Sequence, residues 1–439
     1  MAEPYEPGIR GRRVHNRRCT IKPHVVTPLG GDMTEADYSV EHLHLLHVSD
    51  THLGYRQYGI IEREMDFYQV FEEVIDIAIR EHVDAVIHTG DLFDSTRPPA
   101  QAIRAAIRAL KKLRGHGIPF IVLAGDHDTP KRANLSPLTE LDEVGLAYTI
   151  GAIGDKPTTI QIDTRHGRLL VSGIRSQKGL HARKHLLDAF KQLVPRDRST
   201  VNILLLHQAL REVAPNYEVE LGELPKGFSY YALGHIHLYR EFRLGDAAVV
   251  YPGSPEVLRI DEAREQPQRY VVLVEVDQRS TKSLERIRLE MPRPIVYKEI
   301  IYQGLAEFKS LLVELREKLA KMAAKGVKKP LLYMYVKRLP RGSKTDIYTL
   351  VERILGSYIL DYKLNIETVI ENVPKTVQSA AATINIENIL RELLGNDELA
   401  QLAVKLIEIL GGESEKHALK EAYSIVAQEF GLDREAGLL

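Results

Sequence analysis

Short apolar runs along the first part of the chain end, one after another, in aspartate or histidine. Runs of about four to eight apolar residues are typical of buried strands. In open α/β sheets ligands collect outside the carboxyl ends of the strands, so side chains far apart in sequence can converge there. The pattern predicts an α/β fold with one polar site, built from Asp50 and His52 in "VSDTHLG", Asp91 in "TGDLFD", Asp126 and His127 in "AGDHD", His207 in "LLLHQ", and His235 and His237 in "LGHIH".

Helical segments alternate with the first of these runs. The segments "DFYQVFEEVIDIAIREH" and "PAQAIRAAIRALKKLRGHG" carry apolar residues at helical spacing, and the second has proline near its start and glycine at its end. Strands that alternate with helices predict βαβ crossovers and a largely parallel sheet. Further strands are predicted at "RLLVSGI", "VNILLL", "YYALG", "AAVVYPG" and "YVVLVEV". We expect residues 41–290 to form one α/β domain around two packed sheets, flanked by helices.

The rest of the chain divides into a smaller domain, a linker and terminal helices. Pro292 and Pro294 suit a domain boundary better than the interior of an element. A strand, helix, strand, helix, strand pattern after them predicts a smaller α/β domain at residues 291–370. The segment "ENVPKTVQSAAAT" places a linker at residues 371–384, and residues 385–439 contain amphipathic helices. Helices at a chain end, after a linker, need a partner surface.

Composition limits the class of protein. A chain of 439 residues with 44% apolar residues supports more than one folded domain. The single cysteine, Cys19, excludes an internal disulfide, and no apolar run approaches the roughly 18 residues of a membrane helix, so we expect a soluble, cytoplasmic protein. The formal net charge of -1 indicates no partner by itself. Residues 1–40 are locally basic, which fits a disordered extension, a phosphate-binding arm, or translation that begins at Met33.

Each motif has a simpler explanation when it is taken alone. "GDHD" could be a solvated turn, Asp-x-His could cap a helix, and His207 could be a core histidine. Their coincidence at successive strand ends favours one metal site. Imidazoles and carboxylates without thiolates suit manganese, iron or zinc, and the set is too large for a single ion. Two ions about 3.5 to 4 Å apart can clamp the attacking and leaving oxygens of a phosphoester, which predicts hydrolysis without a covalent enzyme intermediate.

Taken in order, "DTHLG", "GDLFD", "GDHD", "HQ" and "GHIH" resemble the motif series of the calcineurin-like metallophosphoesterases. The longer stretches "SDTHLGYRQYG", "HTGDLFDSTRPP", "YYALGHIHLYR" and "YPGSPEVLR" resemble the archaeal nuclease subunits of the double-strand-break repair complex, the SbcD or Mre-eleven type. The resemblance covers roughly residues 43–280 and implies a two-sheet metallophosphoesterase sandwich. By position, the smaller domain matches this family's DNA-capping domain, and the terminal helices match its segment that binds the coiled coil of an ATPase.

The resemblance also implies a role for each residue of the motifs. Asp91 would bridge two manganese ions, His127 would contact the scissile phosphate instead of a metal, and Asp128 would either orient His127 or hold its loop. The implied ligands of one ion are Asp50, His52, Asp91 and His237, and those of the other are Asp91, Asp126, His207 and His235.

Two residues depart from the family pattern. The usual Gly-Asn-His-Asp is "GDHD" here, so an amide ligand becomes the carboxylate of Asp126. The change adds negative charge near a phosphate, and we hypothesise tighter metal holding with an altered rate or metal preference. Asp94 stands where several relatives have a histidine that reaches toward the substrate, and we assign it no catalytic role.

The function implied by the resemblance is a manganese-dependent DNA nuclease that works with a coiled-coil ABC-type ATPase. It would act on DNA ends as a homodimer, in the nucleoid, as a three-prime to five-prime exonuclease and a structure-directed endonuclease. The basic stretches "KGVKKP" and "KRLPRGSK" and Lys363 would bind DNA phosphates, or form a solvated face. Tyr55 and Tyr58 would stack on a base or sugar, or pack against their loop.

Two other functions stay open at this point. One is a general metallophosphodiesterase or protein phosphatase with the same metal core, although such an enzyme needs neither the smaller domain nor the terminal helices. The other is a scaffold that binds DNA ends and has weakened catalysis because of Asp126. Metal-dependent cleavage of duplex DNA separates the nuclease from the scaffold.

Overall fold

The computed structural model describes residues 42–130, 135–195, 197, 199–340, 342–369, 390–391, 395–410 and 425. The predicted basic extension and the predicted linker lie outside these residues, as does most of the terminal segment. Within these residues, every helix is too short or too polar to span a lipid bilayer.

Two six-stranded sheets form the larger part of the described structure. Their strands are β1 (Leu43–Val48), β2 (Ala85–His88), β3 (Phe120–Leu123), β4 (Tyr148–Ile150), β5 (Thr158–Asp163), β6 (Arg168–Gly173), β7 (Val201–His207), β8 (Tyr230–Gly234), β9 (Arg240–Leu244), β10 (Ala247–Tyr251), β11 (Tyr270–Val276) and β12 (Thr281–Arg288). The helices are α1 (Ile61–Arg80), α2 (Ala100–Gly115), α3 (Leu138–Glu143), α4 (Ala182–Phe190) and α5 (Ile260–Glu265).

The strand order is β12-β11-β1-β2-β3-β4 in the first sheet and β5-β6-β7-β8-β10-β9 in the second. Pairing is parallel from β1 to β4 and from β6 through β8 to β10. Strands β5, β9, β11 and β12 pair antiparallel. The predicted parallel pairing is thus correct for the central strands of both sheets. The antiparallel strands at the edges of the sheets were not predicted.

The two sheets pack face to face, with helices on the outside. In β1, Leu43 and Leu45 contribute to the core between the sheets, while Leu46 and Val48 contribute to the core that includes Phe71 of α1. A strand that is buried on both faces consists mostly of apolar residues, which explains why such strands were predictable. The two-sheet α/β sandwich with flanking helices is confirmed.

The smaller unit contains β13 (Ile295–Ile301), α6 (Leu305–Ala324), β14 (Leu331–Pro340), α7 (Lys344–Leu355) and β15 (Asp361–Val369). Its three strands are parallel in the order β13-β14-β15, as the alternation of strands and helices requires. A further helix, α8 (Asp397–Leu410), belongs to the predicted terminal segment.

The two faces of β14 pack against different parts of the molecule. Leu332 and its alternate neighbours join the core of α6 and α7, whereas Leu331 and Tyr333 join a small core with Val257 and Ala263 of the larger unit. A second contact between the units is ionic: Arg293, which precedes β13, donates to Asp66 of α1 at 2.7 Å.

Candidate metal centre

The strand ends converge as their order in the sheets requires. Backbone hydrogen bonds of 3.0 Å run from Asp50 N to Gly90 O and from His52 N to Asp91 O, so the loops after β1 and β2 lie side by side. The ligand atoms form close groups, and within each group all lie within 4.8 Å of one another. One group is Asp50, His52 and His237, and a second is Asp126, His207 and His235. Asp91 groups with Asp50 and His207, and also with His52 and His127.

Each central carboxylate uses one oxygen to hold the backbone. Asp91 accepts a 2.7 Å hydrogen bond from His127 N at Oδ1, and its Oδ2 lies 3.3 Å from His207 Nε2 and 3.9 Å from His52 Nε2. Asp50 accepts from His235 N at Oδ2, 3.1 Å away, and its Oδ1 lies 3.7 Å from His237 Nε2. The second oxygen of each carboxylate therefore faces imidazoles.

The imidazoles are held in the same way, through one ring nitrogen. His207 Nδ1 donates to Thr89 O at 2.7 Å, and His237 Nδ1 donates to Glu262 Oε1 at 2.9 Å. A hydrogen bond on one nitrogen fixes the tautomer and leaves Nε2 as a metal ligand. His52 has its Nδ1 3.3 Å from Asp94 Oδ1.

Several of these inward atoms lack a partner. Asp50 Oδ1, His52 Nε2 and His207 Nε2 are buried and make no hydrogen bond with any described part of the chain. A buried polar group without a partner costs about 1 to 3 kcal/mol, so such groups are rare unless a ligand satisfies them. The donor set of imidazole and carboxylate suits a divalent cation of the manganese, iron or zinc type. The residues thus fit the metals that the sequence predicts.

The backbone at the site is strained. Asp50, His52, Asp91 and His235 have φ values of 53°, 44°, 56° and 87°. The left-handed region costs a residue with a side chain roughly 1 to 2 kcal/mol. Such strain persists only where surrounding contacts impose it, and it clusters at functional sites. This strain was not predictable from the sequence, because these positions carry ligands instead of glycine.

The carboxylates and imidazoles of the site shift one another's pKa values. Burial raises the pKa of the Asp91 carboxyl, but the neighbouring His207 outweighs burial and holds the pKa below its usual range. Burial lowers the pKa of His207, but the carboxylates of Asp91 and Asp50 raise it well above the usual value. The site therefore attracts positive charge, which a metal cation supplies in greater measure than a proton.

His127 and Asp128 occupy different positions although they are adjacent. The His127 side chain is 47% exposed and donates from Nδ1 to Asp94 O at 2.6 Å. Asp128 is fully buried and accepts from the backbone N–H groups of Leu92, Phe93 and Gly125 at 3.0 to 3.2 Å. Of the two roles expected for Asp128, these contacts correspond to holding the loop. The contact that orients His127 comes from the Asp94 carbonyl, which the sequence did not indicate.

Asp126 has two partners that the sequence did not indicate. Its Oδ1 accepts from the Ser176 hydroxyl, and its Oδ2 pairs with the Lys178 ammonium and lies 3.0 Å from His235 Nδ1. Burial raises the pKa of this carboxyl, but the hydrogen bond with His235 and the nearby His207 lower it overall. Asp126 is therefore an anion whose extra charge, relative to asparagine, is partly balanced by Lys178.

Three of the lysines predicted to bind DNA have partners within the protein. Lys328 pairs with Asp66, and Lys337 pairs with Glu299. Lys363 lies 3.9 Å from the ring centroid of Tyr58, whose hydroxyl is 2.9 Å from that of Tyr333. Tyr55 packs edge-to-face on Phe67. Tyr55 thus contacts helix α1, and Tyr58 contacts β14 and β15 of the smaller unit. Arg341 of the second basic stretch lies outside the described residues.

Comparison with known proteins agrees with the metal chemistry. The calcineurin-like phosphoesterase family matches residues 43–239, the part that supplies every candidate ligand. The DNA double-strand break repair protein Mre11 of Sulfolobus acidocaldarius is 32% identical over 387 residues, which cover 85% of this chain and 96% of that protein. The chain belongs to the Mre11 family.

Further relatives extend this result. Mre11 of Thermoplasma acidophilum is 32% identical and is covered over 93% of its length. Mre11 of Sulfurisphaera tokodaii is 45% identical over 223 residues, but this match spans only 55% of that protein. The resemblance to the archaeal Mre11 type is confirmed, and the chain is a metal-dependent phosphodiester hydrolase.

Proposed function

We propose that this chain is a manganese-dependent nuclease that processes DNA ends in double-strand-break repair. The observation that carries the proposal is the position of Asp91 between two groups of ligands, with unpartnered buried atoms on Asp50, His52 and His207. The names of the Mre11 relatives supply the substrate class. Asp50, His52, Asp91 and His237 would hold one ion, and Asp91, Asp126, His207 and His235 would hold the other.

Two divalent ions held by these residues would act as Lewis acids on a phosphodiester and would stabilise the charge that develops on its oxygens. The protein residues position these ions and the substrate. The more exposed edge of the site is lined by His127, His235 and His237, with side chains 47%, 29% and 19% exposed. His127 is therefore placed to contact a phosphate that enters from solvent, and the bond to Asp94 O leaves its Nε2 for that contact.

The remaining parts of the chain would serve DNA and protein partners. Residues 41–290 would form the nuclease domain, residues 291–370 the DNA-capping domain and residues 385–439 the segment that binds a coiled-coil ABC-type ATPase. Leu399 on α8 is 39% exposed and would contribute to that contact. A homodimer that acts at DNA ends in the nucleoid, with three-prime to five-prime exonuclease and endonuclease activity, completes the proposal.

The test is hydrolysis of linear duplex DNA by the purified full chain in manganese, in magnesium and in chelator. We expect nucleotide release that requires manganese and stops with chelator. The variant His127→Asn should lose release by about 10² to 10⁴-fold, the usual contribution of a positioned acid or base, while still binding metal. The exposed His185 provides the matched control, because His185→Asn should behave as wild type.

Two results would contradict the proposal. Binding of duplex DNA with two bound metal ions but no release would favour the scaffold function. Release from small phosphodiesters with none from DNA would favour the general metallophosphodiesterase.

A further inference from the structure

A closed ring of hydrogen bonds holds His237 at both its side chain and its backbone. The His237 Nδ1 donates to Glu262 Oε1 at 2.9 Å. The other oxygen of Glu262 accepts from an Arg269 Nη at 2.9 Å, and a second Nη of Arg269 donates to the His237 carbonyl at 2.7 Å. Glu262 and Arg269 are only 3% and 2% exposed. Movement of Glu262 would therefore move the imidazole.

The same carboxylate is tied to the loop before α5. Leu258 N donates to Glu262 Oε2 at 3.0 Å, and Leu258 O accepts from Gln57 Nε2 at 2.8 Å. The preceding residue, Val257, is fully buried and packs in the small core that it shares with Leu331 and Tyr333 of β14. Contacts thus run without interruption from β14 of the smaller unit, through Val257 and Leu258, to Glu262 and His237.

The second group of ligands is supported differently. His207 is held by Thr89 O, and Asp126 is held by Ser176 and Lys178. All of these partners belong to the larger unit. A displacement of the smaller unit would therefore change the position of His237 more than the positions of His207 and Asp126.

We propose that Glu262 is a positioning residue through which the docking of the smaller domain sets the affinity of one of the two metal positions, the one formed by Asp50, His52 and His237. The inference rests on the two-metal centre of the proposed function. If the smaller domain binds DNA and shifts, the loop at Val257 would shift with it and would change the position of His237. DNA binding would then change the affinity of the metal centre for one of its ions.

Two adjacent leucines allow a matched test. Leu331 and Leu332 are both buried in β14, 2% and 1% exposed, but Leu331 contacts the core of Val257 and Leu332 contacts the core of α6 and α7. Leu331→Ala and Leu332→Ala remove the same atoms from the same strand. Each full-length variant is titrated with Mn²⁺ by calorimetry, its Tm is measured without metal, and the absorption spectrum of its Co²⁺ form is recorded.

We expect Leu331→Ala to weaken one of the two Mn²⁺ affinities by about 10-fold and to change the Co²⁺ spectrum, while the other affinity stays at the wild-type value. Leu332→Ala should lower the Tm comparably and leave both affinities unchanged. Glu262→Gln should weaken the same single affinity by about 10- to 100-fold, because the partner of a ligating histidine is lost.

Equal loss of affinity in the two leucine variants, or no loss in Leu331→Ala, would overturn the coupling. An unchanged affinity in Glu262→Gln would overturn the role of that residue. Wild-type protein that binds fewer than two Mn²⁺ ions would instead overturn the proposed function on which the inference rests.

Discussion

Gly90 lies where two ligand loops meet, and a methyl group there has no room. Its φ is +104°, and a Cβ atom would stand 2.3 Å from His207 Nδ1 and 2.9 Å from the Cα of Gly125. His207 cannot swing away without cost, because it is fully buried and its Nδ1 donates to Thr89 O. Gly90→Ala must therefore displace either the imidazole or the end of β2.

A second glycine serves as a control that separates the steric clash at position 90 from the cost of left-handed backbone strain. Gly117 also has a positive φ, +72°, but a Cβ there would meet no atom of the described residues within 4 Å. Left-handed strain should cost each alanine variant about 1 to 2 kcal/mol. Overpacking should add about 1 to 3 kcal/mol at Gly90 alone, so we expect a total loss of about 2 to 5 kcal/mol there.

The assay is urea unfolding of the metal-free proteins, followed by far-ultraviolet circular dichroism because the chain has no tryptophan. Gly90→Ala should also weaken Mn²⁺ binding, since the displaced His207 is a predicted ligand, whereas Gly117→Ala should bind metal normally. If both variants lose the same free energy of unfolding and bind metal equally, the close approach of the two loops is not what requires glycine at position 90.

Three further predictions concern buried charge, pH and the altered ligand. Arg63→Leu should lower the free energy of unfolding by about 3 to 5 kcal/mol, because it leaves buried carboxylates without their partner. Arg80→Leu removes an exposed ion pair and should lower the free energy of unfolding by only about 0 to 1 kcal/mol. Similar losses for the two variants in urea unfolding would refute this prediction. Burial, and then His88, lowers the pKa of His47 to about 3 from 6.5. An unfolded histidine binds a proton that the folded protein excludes between these values. His47 alone should therefore make unfolding easier as pH falls from about 6.5, by up to about 1.4 kcal/mol per pH unit, and His47→Gln should remove this contribution from the pH dependence of urea unfolding. Asp126→Asn should weaken Mn²⁺ binding on the order of tenfold in calorimetry, since it removes a unit charge beside a cation; unchanged affinity and metal preference would remove the basis of our hypothesis.

The fold was predictable where burial makes a strand apolar on both faces. The strands β1, β7 and β8 lie inside the sandwich and are rich in apolar residues, although β1 contains His44 and His47 and β7 contains Asn202. Edge strands such as β5 ("TTIQID") and β12 ("TKSLERIR") expose many side chains and lack that signal. The start of α1 was also missed, because Ile61 and Met65 are exposed there and break the apolar periodicity.

The candidate metal ligands were predictable from the sequence, but the residues that hydrogen-bond to those ligands and hold them in place were not. Motifs at strand ends identified the residues that the structure brings together. Glu262, Arg269 and Lys178 belong to no motif, because each contact joins segments that only the folded chain places side by side. The left-handed backbone of Asp50 and Asp91 likewise follows from the pairing of two loops and not from local sequence preference.

We propose that Asp91 joins two metal positions in one hydrolytic centre. The most direct measurement is anomalous X-ray scattering from a crystal of the full chain soaked in Mn²⁺. We predict two manganese peaks about 3.5 to 4 Å apart, with the carboxylate of Asp91 touching both. A single peak, or two peaks that do not share Asp91, would show that Asp91 does not join two metal ions.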